Sequence, residues 1–224
     1  MNEAAAPSRE LRASLVPDPT PIVFVVDDDV SVRESLELLI RHEGWQPVLF
    51  ASARAFLANP RVTVPSCLVL DVSLPDLNGL DLQTRIAVDR SEMPIIFITG
   101  YGDVPTSVRA MKAGAVEFLM KPFGDEVLLS AIRGALRRSQ AALGVEEEIR
   151  SLRTCYETLS RREREVMALV VSGLLNKQVG SELGISEITV KAHRGSVMRK
   201  MKADSLADLV KMAARLRLAP EPSS

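Results

Sequence analysis

The sequence predicts an α/β domain followed by an all-α domain, with a linker helix between them. Up to about residue 125, short apolar runs alternate with helical patterns, which predicts βαβ units around a parallel sheet. Beyond that point every pattern is helical. The charge balance also changes, since residues 1–140 hold 14 Lys/Arg and 18 Asp/Glu whereas residues 141–224 hold 14 and 11. An acidic part followed by a basic part suggests two units with different partners.

The first domain is predicted to contain five strand–helix units. Its strands are the short, apolar and largely β-branched runs 22–26, 45–50, 67–70, 93–99 and 115–120. Its helices are the segments 31–44, 52–59, 80–88 and 104–114, and an amphipathic segment that begins at Asp125. Ser31 and Glu34 are suited to a capping box for the first helix, and Gly44 to its end. This alternation predicts a doubly wound (βα)5 domain.

Residues 126–158 are predicted to form the linker helix. Apolar residues recur along its second half and just beyond its end at spacings of 4, 3, 4 and 3, at Val145, Ile149, Leu152, Tyr156 and Leu159. This stripe fits either a helix that packs on its own domain or a short coiled-coil seam. Gly134 and Gly144 are candidate points of interruption. Residues 1–20 and 217–224 are predicted to be flexible tails.

Several classes of protein are disfavoured by composition. The two cysteines, Cys67 and Cys155, are far apart and lack metal spacing, which argues against a disulfide framework or a zinc site and fits a reducing compartment. We interpret Cys67 as a small buried hydrophobe and Cys155 as a free thiol. No apolar run approaches the roughly 20 residues that span a bilayer, and the first 21 residues lack the apolar core of a signal peptide. We therefore expect a cytoplasmic protein without membrane association.

Polar side chains stand where the predicted strands end. They are Asp27 and Asp28 after the first strand, Asp71 after the third, Thr99 at the fourth and Lys121 after the fifth. A single strand-end Asp is often only a helix cap, but ligands of open parallel sheets bind at the carboxyl ends of strands, where all five residues would face one crevice. Carboxylates suit Mg²⁺, while a lysine and a hydroxyl suit phosphoryl oxygens. The nucleophile would be a carboxylate, which can form an aspartyl phosphate.

Four motifs carry a resemblance to a known family. VVDDD (25–29), LVLDVSLPDLNG (68–79), FITGYGD (97–103) and EFLMKPF (117–123) together resemble the CheY-like receiver domain of two-component response regulators, over about 21–125. The resemblance implies that Asp71 is the phosphoacceptor. It also implies that Mg²⁺ is held by Asp27, Asp28, Asp71 and the backbone carbonyl of Ser73.

The same resemblance implies a switch. Thr99 and Lys121 would contact the phosphoryl group, and Phe118 would turn inward when Thr99 moves. Leu74 stands where the family usually has methionine, which is a swap of similar volume. Asp29 lies one residue beyond the metal pair, so we expect it to face solvent or to favour the N-terminal end of the first helix.

The region 159–216 is predicted to contain four short helices, of which the third, near 187–202, is basic. Its apolar residues Ile188, Val190, Val197, Met198 and Met201 are predicted to form a core face. A turn around Gly184 and a helix start at Ser186 give helix-turn-helix spacing. From the pattern alone, a solvated charged face on a helical bundle remains the alternative.

The segment LSRREREVMALVVSG…NKQVGSELGISEITVKAHRGSVMRKM resembles the LuxR/NarL/FixJ-type DNA-binding domain, with a recognition helix at about 187–201. The resemblance implies base-facing positions for Lys191 and Ala192 and backbone contacts for Thr189, His193 and Arg194. Arg199 and Lys200 complete the predicted DNA-binding set. Gly195 departs from the polar or bulky residue often found there. Gly180 departs from the usual alanine.

Both domains together resemble a FixJ-subfamily regulator, similar to StyR-like regulators. Such a protein would accept a phosphoryl group on Asp71 from a sensor histidine kinase, form a homodimer through a surface near 104–136, and bind double-stranded DNA. We expect it to regulate transcription, by activation, with RNA polymerase as a further partner, and not to be an enzyme.

Two alternative functions remain at this point. Asp27 and Asp29 satisfy the D-x-D pattern of Mg²⁺-dependent haloacid-dehalogenase-like phosphohydrolases. Such enzymes need a further acid pair on a late strand, where this chain has Lys121 and Pro122. The second alternative is a DNA-binding regulator that works without phosphorylation, and the complete set of acids, threonine and lysine argues against it.

Overall fold

The structure is a computed structural model that describes residues 19–90, 92–100 and 104–216. The chain divides into two compact units, which we call the first unit, Met1–Leu143, and the second unit, Gly144–Ser224. The predicted tails lie almost entirely outside the described residues. Within the described part of the chain, no helix combines the length and the apolar character needed to cross a membrane.

The first unit is built on a five-stranded parallel sheet. Its strands are β1 (Ile22–Val26), β2 (Gln46–Phe50), β3 (Ser66–Asp71), β4 (Ile95–Thr99) and β5 (Glu117–Met120). They lie in the order β2-β1-β3-β4-β5, so the predicted doubly wound fold is confirmed. Because the winding reverses after β2, the carboxyl ends of β1 and β3 lie side by side, and Val26 pairs with Leu70. A crevice is expected at this switch point.

Helices cover both faces of the sheet. They are α1 (Val30–His42), α2 (Ala53–Leu57), α3 (Gly79–Asp89), α4 (Val104–Lys112) and α5 (Asp125–Glu157). Strand side chains alternate between two apolar layers. Phe24 and Phe97 pack in one layer, and Val25 and Ile96 pack in the other. Cys67 is fully buried in the second layer, as predicted, and burial raises the pKa of its thiol.

The start of α1 differs from the prediction. The capping box of Ser31 and Glu34 is wrong, because the helix begins one residue before Ser31. Asp29 is the N-cap, with an extended backbone, and its carboxylate accepts the Ser31 N–H at 2.8 Å. The expectation that Asp29 serves the helix start is therefore confirmed. Gly44 follows the helix with φ of +79°, a conformation that suits glycine.

The linker helix is continuous. α5 has 33 residues and runs through Gly134 and Gly144, so neither glycine interrupts it. Of the predicted stripe, Val145 is exposed, whereas Tyr156 and Leu159 pack in an apolar cluster of the second unit. This part of the stripe therefore serves the core of its own unit.

The second unit contains the four predicted helices, α6 (Arg161–Val171), α7 (Asn176–Leu183), α8 (Glu187–Met201) and α9 (Leu206–Arg215). From α8, Val190, Val197 and Met201 are buried, and Met198 packs against the core as a half-buried side chain. Ile188 was assigned to the same face, and this is wrong, since it is 80% exposed. Two positions along a helix are about 200° apart, so Ile188 and Val190 point in opposite directions.

Candidate functional site

Three carboxylates meet at the ends of β1 and β3. Asp27 is fully buried, Asp71 is nearly so and Asp28 is exposed. One oxygen of each lies within 4.8 Å of the other two. Carboxylate oxygens are the hard ligands that Mg²⁺ prefers. A cluster of three such oxygens fits this ion by the chemistry of its donor atoms.

The ammonium of Lys121 bridges two of these carboxylates. Lys121 follows β5, and its Nζ donates to Asp27 Oδ2 at 2.7 Å and to Asp71 Oδ2 at 2.6 Å. Its backbone N–H donates to the carbonyl of Thr99 at 2.8 Å, which ties the ends of β4 and β5 together. The predicted convergence of strand-end residues is therefore present in the folded chain.

Burial and ion pairing act against each other in this crevice. Burial raises the pKa of the Asp27 carboxyl, although hydrogen bonds from Lys121 and from the N–H of Asp29 oppose the shift. Burial also acts to lower the pKa of Lys121, but the bonds to Asp27 and Asp71 outweigh it and the pKa is raised. Lys121 therefore stays charged, and the buried acids are stabilised by positive charge next to them.

The acids are oriented by bonds that sequence reasoning missed. Asp27 Oδ1 accepts the N–H of Asp29 at 2.9 Å, and the guanidinium of Arg33 donates to the carbonyl of Asp27 at 2.6 Å. Asp71 Oδ1 accepts the N–H of Ser73 at 2.8 Å, so the exposed Ser73 lies directly beside Asp71 in the loop after β3. These bonds leave each acid with one oxygen directed at Lys121.

The loop after β3 is held in place at two points. A Cβ added at Gly79 would lie 2.6 Å from the carbonyl oxygen of Asp71, so glycine is required for this close approach. The carboxylate of Asp76 accepts the N–H groups of Ala53 and Arg54 at the start of α2, at 3.2 and 2.9 Å. The bond from Arg54 is the main cause of the lowered pKa of Asp76.

Thr99 and Phe118, which are predicted to take part in the switch with Lys121, have different surroundings. Thr99 is fully buried at the end of β4. Phe118 is half-buried on β5, beside Phe97, with ring centroids 6.2 Å apart. Phe118 thus packs against the layer that contains Phe97 while part of its ring remains open to solvent.

In the second unit, α7 and α8 are joined by a tight turn. Gly184 adopts the left-handed conformation, with φ of +65°, and Ser186 caps α8 by accepting the N–H of Thr189 at 3.1 Å. A Cβ at Gly180 would lie 2.8 Å from the carbonyl oxygen of Ile185. The glycine that departs from the family pattern therefore allows the close approach of this turn to α7.

The predicted DNA-binding residues do not share one environment. Ala192 and Arg199 are exposed, and the half-buried His193 lies one position beyond Ala192. Lys191 is exposed and pairs with Glu187 at 3.0 Å, and the half-buried Thr189 shares a hydrogen bond with Ser186. The other two cations are engaged within the unit, at Arg194 with Asn176 (3.3 Å) and at Lys200 with Glu163 (2.6 Å).

Comparison with known proteins accounts for both units. Residues 23–133 match the family model of the response regulator receiver domain, and residues 157–213 match that of bacterial regulatory proteins of the luxR family. The chain is 54% identical to Nodulation protein W of Bradyrhizobium diazoefficiens, over 87% of this chain and 86% of that protein. The chain belongs to the two-component response regulators.

Further relatives place this response regulator near the predicted subfamily. It is 44% identical to the transcriptional regulatory protein FixJ of Rhizobium meliloti, over 85% of this chain and 94% of that protein. The solved structure of the response regulator StyR superposes with a TM-score of 0.77 at 44% identity, covering 88% of this chain and all of that one. The predicted family and its role as a two-component transcription regulator are confirmed.

The family bears on the first alternative, the phosphohydrolase. Its members are transcription regulators with a receiver and a DNA-binding domain, and it is not an enzyme family. The hydrolase alternative expects an acid pair after a late strand. Here β5 of the response regulator is followed by Lys121, whose ammonium is used to neutralise acids of the crevice.

Proposed function

We propose that the phosphoryl group of a sensor-kinase phosphohistidine is transferred to Asp71, and that this transfer controls DNA binding by the second unit. The observation that carries the proposal is the convergence of Asp27, Asp28 and Asp71, with their oxygens within 4.8 Å and the Lys121 ammonium between two of them. The receiver function is assigned to residues 21–125, the linker to 126–158 and DNA binding to 159–216.

In the proposed transfer, a carboxylate oxygen of Asp71 attacks phosphorus while the phosphorus–nitrogen bond of the phosphohistidine breaks and its electron pair returns to the imidazole. Asp27, Asp28, Asp71 and the backbone carbonyl of Ser73 would hold Mg²⁺. That ion offsets the negative charge gathered around the phosphoryl oxygens. Lys121 then exchanges its bond to Asp71 for one to a phosphoryl oxygen.

Phosphorylation changes the conformation of the first unit through Thr99 and Phe118. Thr99 is buried at the end of β4, close enough to the chain after β5 for its carbonyl to accept the Lys121 N–H. A hydroxyl that turns towards the phosphoryl group vacates space, and the half-buried ring of Phe118 can fill it. This movement would alter the surface around β5, as the family resemblance implies.

An apolar groove beside the crevice supports docking of the kinase. It has a volume of about 560 Å³ and is lined by residues of α1 and of the chain after β5, among them Leu38, Leu39, Lys121 and Phe123. Leu38 is 72% exposed, so an apolar side chain stands in water in the groove that Lys121 also lines. A helix of the phosphohistidine-bearing partner would cover it.

A second apolar surface supports a homodimer of the phosphorylated protein. Exposed large hydrophobic side chains lie on α4, β5 and the start of α5, at Val104, Val108, Met111, Met120 and Val127. This is the region near 104–136 in which the phosphorylated state is expected to differ. A dimer formed there would present two copies of α8 about one DNA turn apart, or a multiple of that.

The DNA-binding role is assigned to α8 and its neighbours. Lys191 and Ala192 would face bases, while Thr189, His193, Arg194, Arg199 and Lys200 would contact the backbone. The positive charge of 141–224 supports salt-dependent binding to double-stranded DNA. We also propose that the protein regulates transcription by activation, with RNA polymerase as a further partner, and that it acts in the cytoplasm.

Phosphorylation by a small donor tests the proposal. Incubation with radiolabelled acetyl phosphate and Mg²⁺ should label the wild-type chain, and Asp71→Asn should abolish the label. Asp29→Asn is the matched control, because asparagine preserves the helix cap and removes a neighbouring charge. Undiminished labelling of Asp71→Asn, or loss of label in Asp29→Asn alone, would contradict the assignment.

A further inference from the structure

An isoleucine stands in water on the outer face of α8. Ile188 is the second residue of the helix and is 80% exposed, the largest exposure among the large hydrophobic side chains of the described residues. The buried residues Val190 and Val197 lie on the opposite face. A β-branched residue on a solvent face gains neither burial nor helix propensity, so folding provides no reason for it.

The surroundings of Ile188 form a narrow stripe. Lys191, Ala192 and Gly195 follow at three, four and seven positions, and all are exposed. Side chains at these spacings lie on one face of a helix. A Cβ built at Gly195 would meet nothing within 4 Å, so the far end of the stripe is open. Another surface can therefore approach the helix closely at this face.

The charges that accompany the stripe indicate its occupant. Lys191 has a side chain that is 62% exposed, and Arg199 continues the same face one turn beyond Gly195. An apolar centre with flanking cations matches the major groove, where phosphates flank base edges. The one apolar group that base pairs present there is the 5-methyl group of thymine.

We propose that Ile188 contacts the 5-methyl group of a thymine and so determines part of the sequence preference of this protein. The proposal rests on the DNA-binding function assigned above and adds a residue to it. In helix-turn-helix proteins, residues near the start of the second helix reach base edges, which is where Ile188 lies.

The test removes the methyl group from the DNA and, separately, the apolar side chain from the protein. The full-length protein, phosphorylated with acetyl phosphate and Mg²⁺, first selects its preferred duplexes from a random pool, and each thymine of the selected site is then replaced by deoxyuridine in turn. Burial of one methyl group is worth about three- to fivefold in affinity. We expect wild type to lose this factor at one or more thymines. Ile188→Ser should bind the thymine duplex correspondingly more weakly and no longer distinguish deoxyuridine there.

Two further variants keep the experiment selective. Ile188→Val retains a branched apolar side chain and should retain the discrimination. Val145→Ser changes another exposed β-branched residue of the same unit, on α5, and should leave both affinities unchanged. Equal wild-type affinity for thymine and deoxyuridine at every position would overturn the inference, as would undiminished discrimination by Ile188→Ser. Failure of wild type to select any duplex would instead overturn the DNA-binding function itself.

Discussion

Replacement of Glu163 by glutamine is expected to destabilise the second unit and to remove part of its sensitivity to acid. Glu163 Oε2 accepts the Lys200 ammonium at 2.6 Å and the N–H of Ser160 at 2.7 Å. These bonds, with that of Lys200 first, lower the pKa of Glu163 from 4.5 to about 2. Glutamine can still accept the Ser160 N–H, so the substitution removes the charge and keeps the capping box.

The magnitude follows from the shift in pKa. Such a lowering corresponds to roughly 3 kcal/mol of folding free energy. The side chain of Lys200 is 34% exposed, so water weakens the pair and we expect about 2 kcal/mol. The folded state binds the proton less tightly than the unfolded state does. The contribution of Glu163 is therefore present above pH 4.5 and is lost as the pH falls towards 2.

Urea unfolding of the full chain measures this contribution. Trp45 is the single tryptophan and lies in the first unit, so its fluorescence reports on that unit alone. The transition seen by circular dichroism but not by fluorescence belongs to the second unit. At neutral pH, Glu163→Gln should lower the urea midpoint of the second unit by about 2 M, for a dependence of the unfolding free energy on urea of about 1 kcal/mol per M.

A control variant and measurements at low pH test whether the bond between Glu163 and Lys200 causes the loss of stability. Glu165→Gln removes a more exposed carboxylate whose partners, Arg161 and Arg162, lie on the same helix, so its effect should be much smaller. Between about pH 5 and pH 2.5 the wild-type midpoint should fall more steeply than that of Glu163→Gln. If Glu163→Gln keeps the wild-type midpoint and the same decline in acid, the bond to Lys200 does not stabilise the unit.

Three further substitutions test the second unit. Gly180→Ala should destabilise this unit, because the new Cβ would lie 2.8 Å from a backbone carbonyl oxygen. Gly195→Ala has open space around it and should stabilise the unit by about 0.5–1 kcal/mol in the same urea experiment. Equal gains for both would refute the close approach. Lys191→Ala should weaken binding to the selected duplex by roughly 1–3 kcal/mol at fixed salt. The exposed Lys211→Ala on α9 serves as its control, and unchanged affinity and preference of Lys191→Ala would count against base contact.

The acid crevice could be predicted because topology leaves little freedom. Apolar runs such as 22–26 and 67–70 are readable as strands buried on both faces. Once they form a parallel sheet, the residues that follow them meet at one edge. The sequence therefore predicts that Asp27, Asp71 and Lys121 lie in one crevice, although they are up to 94 positions apart. Their exact partners, such as the Arg33 bond to the Asp27 carbonyl, carry no signal in the sequence.

Local choices between similar residues were harder to predict. Asp29 and Ser31 are both residue types that cap helices well. Asp29 is the N-cap because its backbone is extended, and no sequence pattern specifies that conformation. Ile188 was assigned to the core because it is apolar. The position of Val190, two residues further on, already placed it on the other side of the helix. Helical geometry applied residue by residue would have corrected this assignment.

Ion pairs between residues that are distant in sequence were not predicted. Lys200 was grouped with the DNA-binding cations because it lies in a basic helix, yet its ammonium bonds to Glu163 of α6, 37 positions away. A charge pattern identifies a basic face but not the partner that each side chain finds in the folded unit. Its role at DNA stays a prediction.

The central claim is that phosphorylation of Asp71 controls DNA binding. It is tested most directly by measuring the affinity of the full chain for its selected duplex with and without acetyl phosphate and Mg²⁺, for wild type and for Asp71→Asn, with the dimer fraction followed in parallel. We expect acetyl phosphate to raise both the affinity for the duplex and the dimer fraction in wild type and to change neither in Asp71→Asn. An equal response of Asp71→Asn, or no response of labelled wild type, would contradict it.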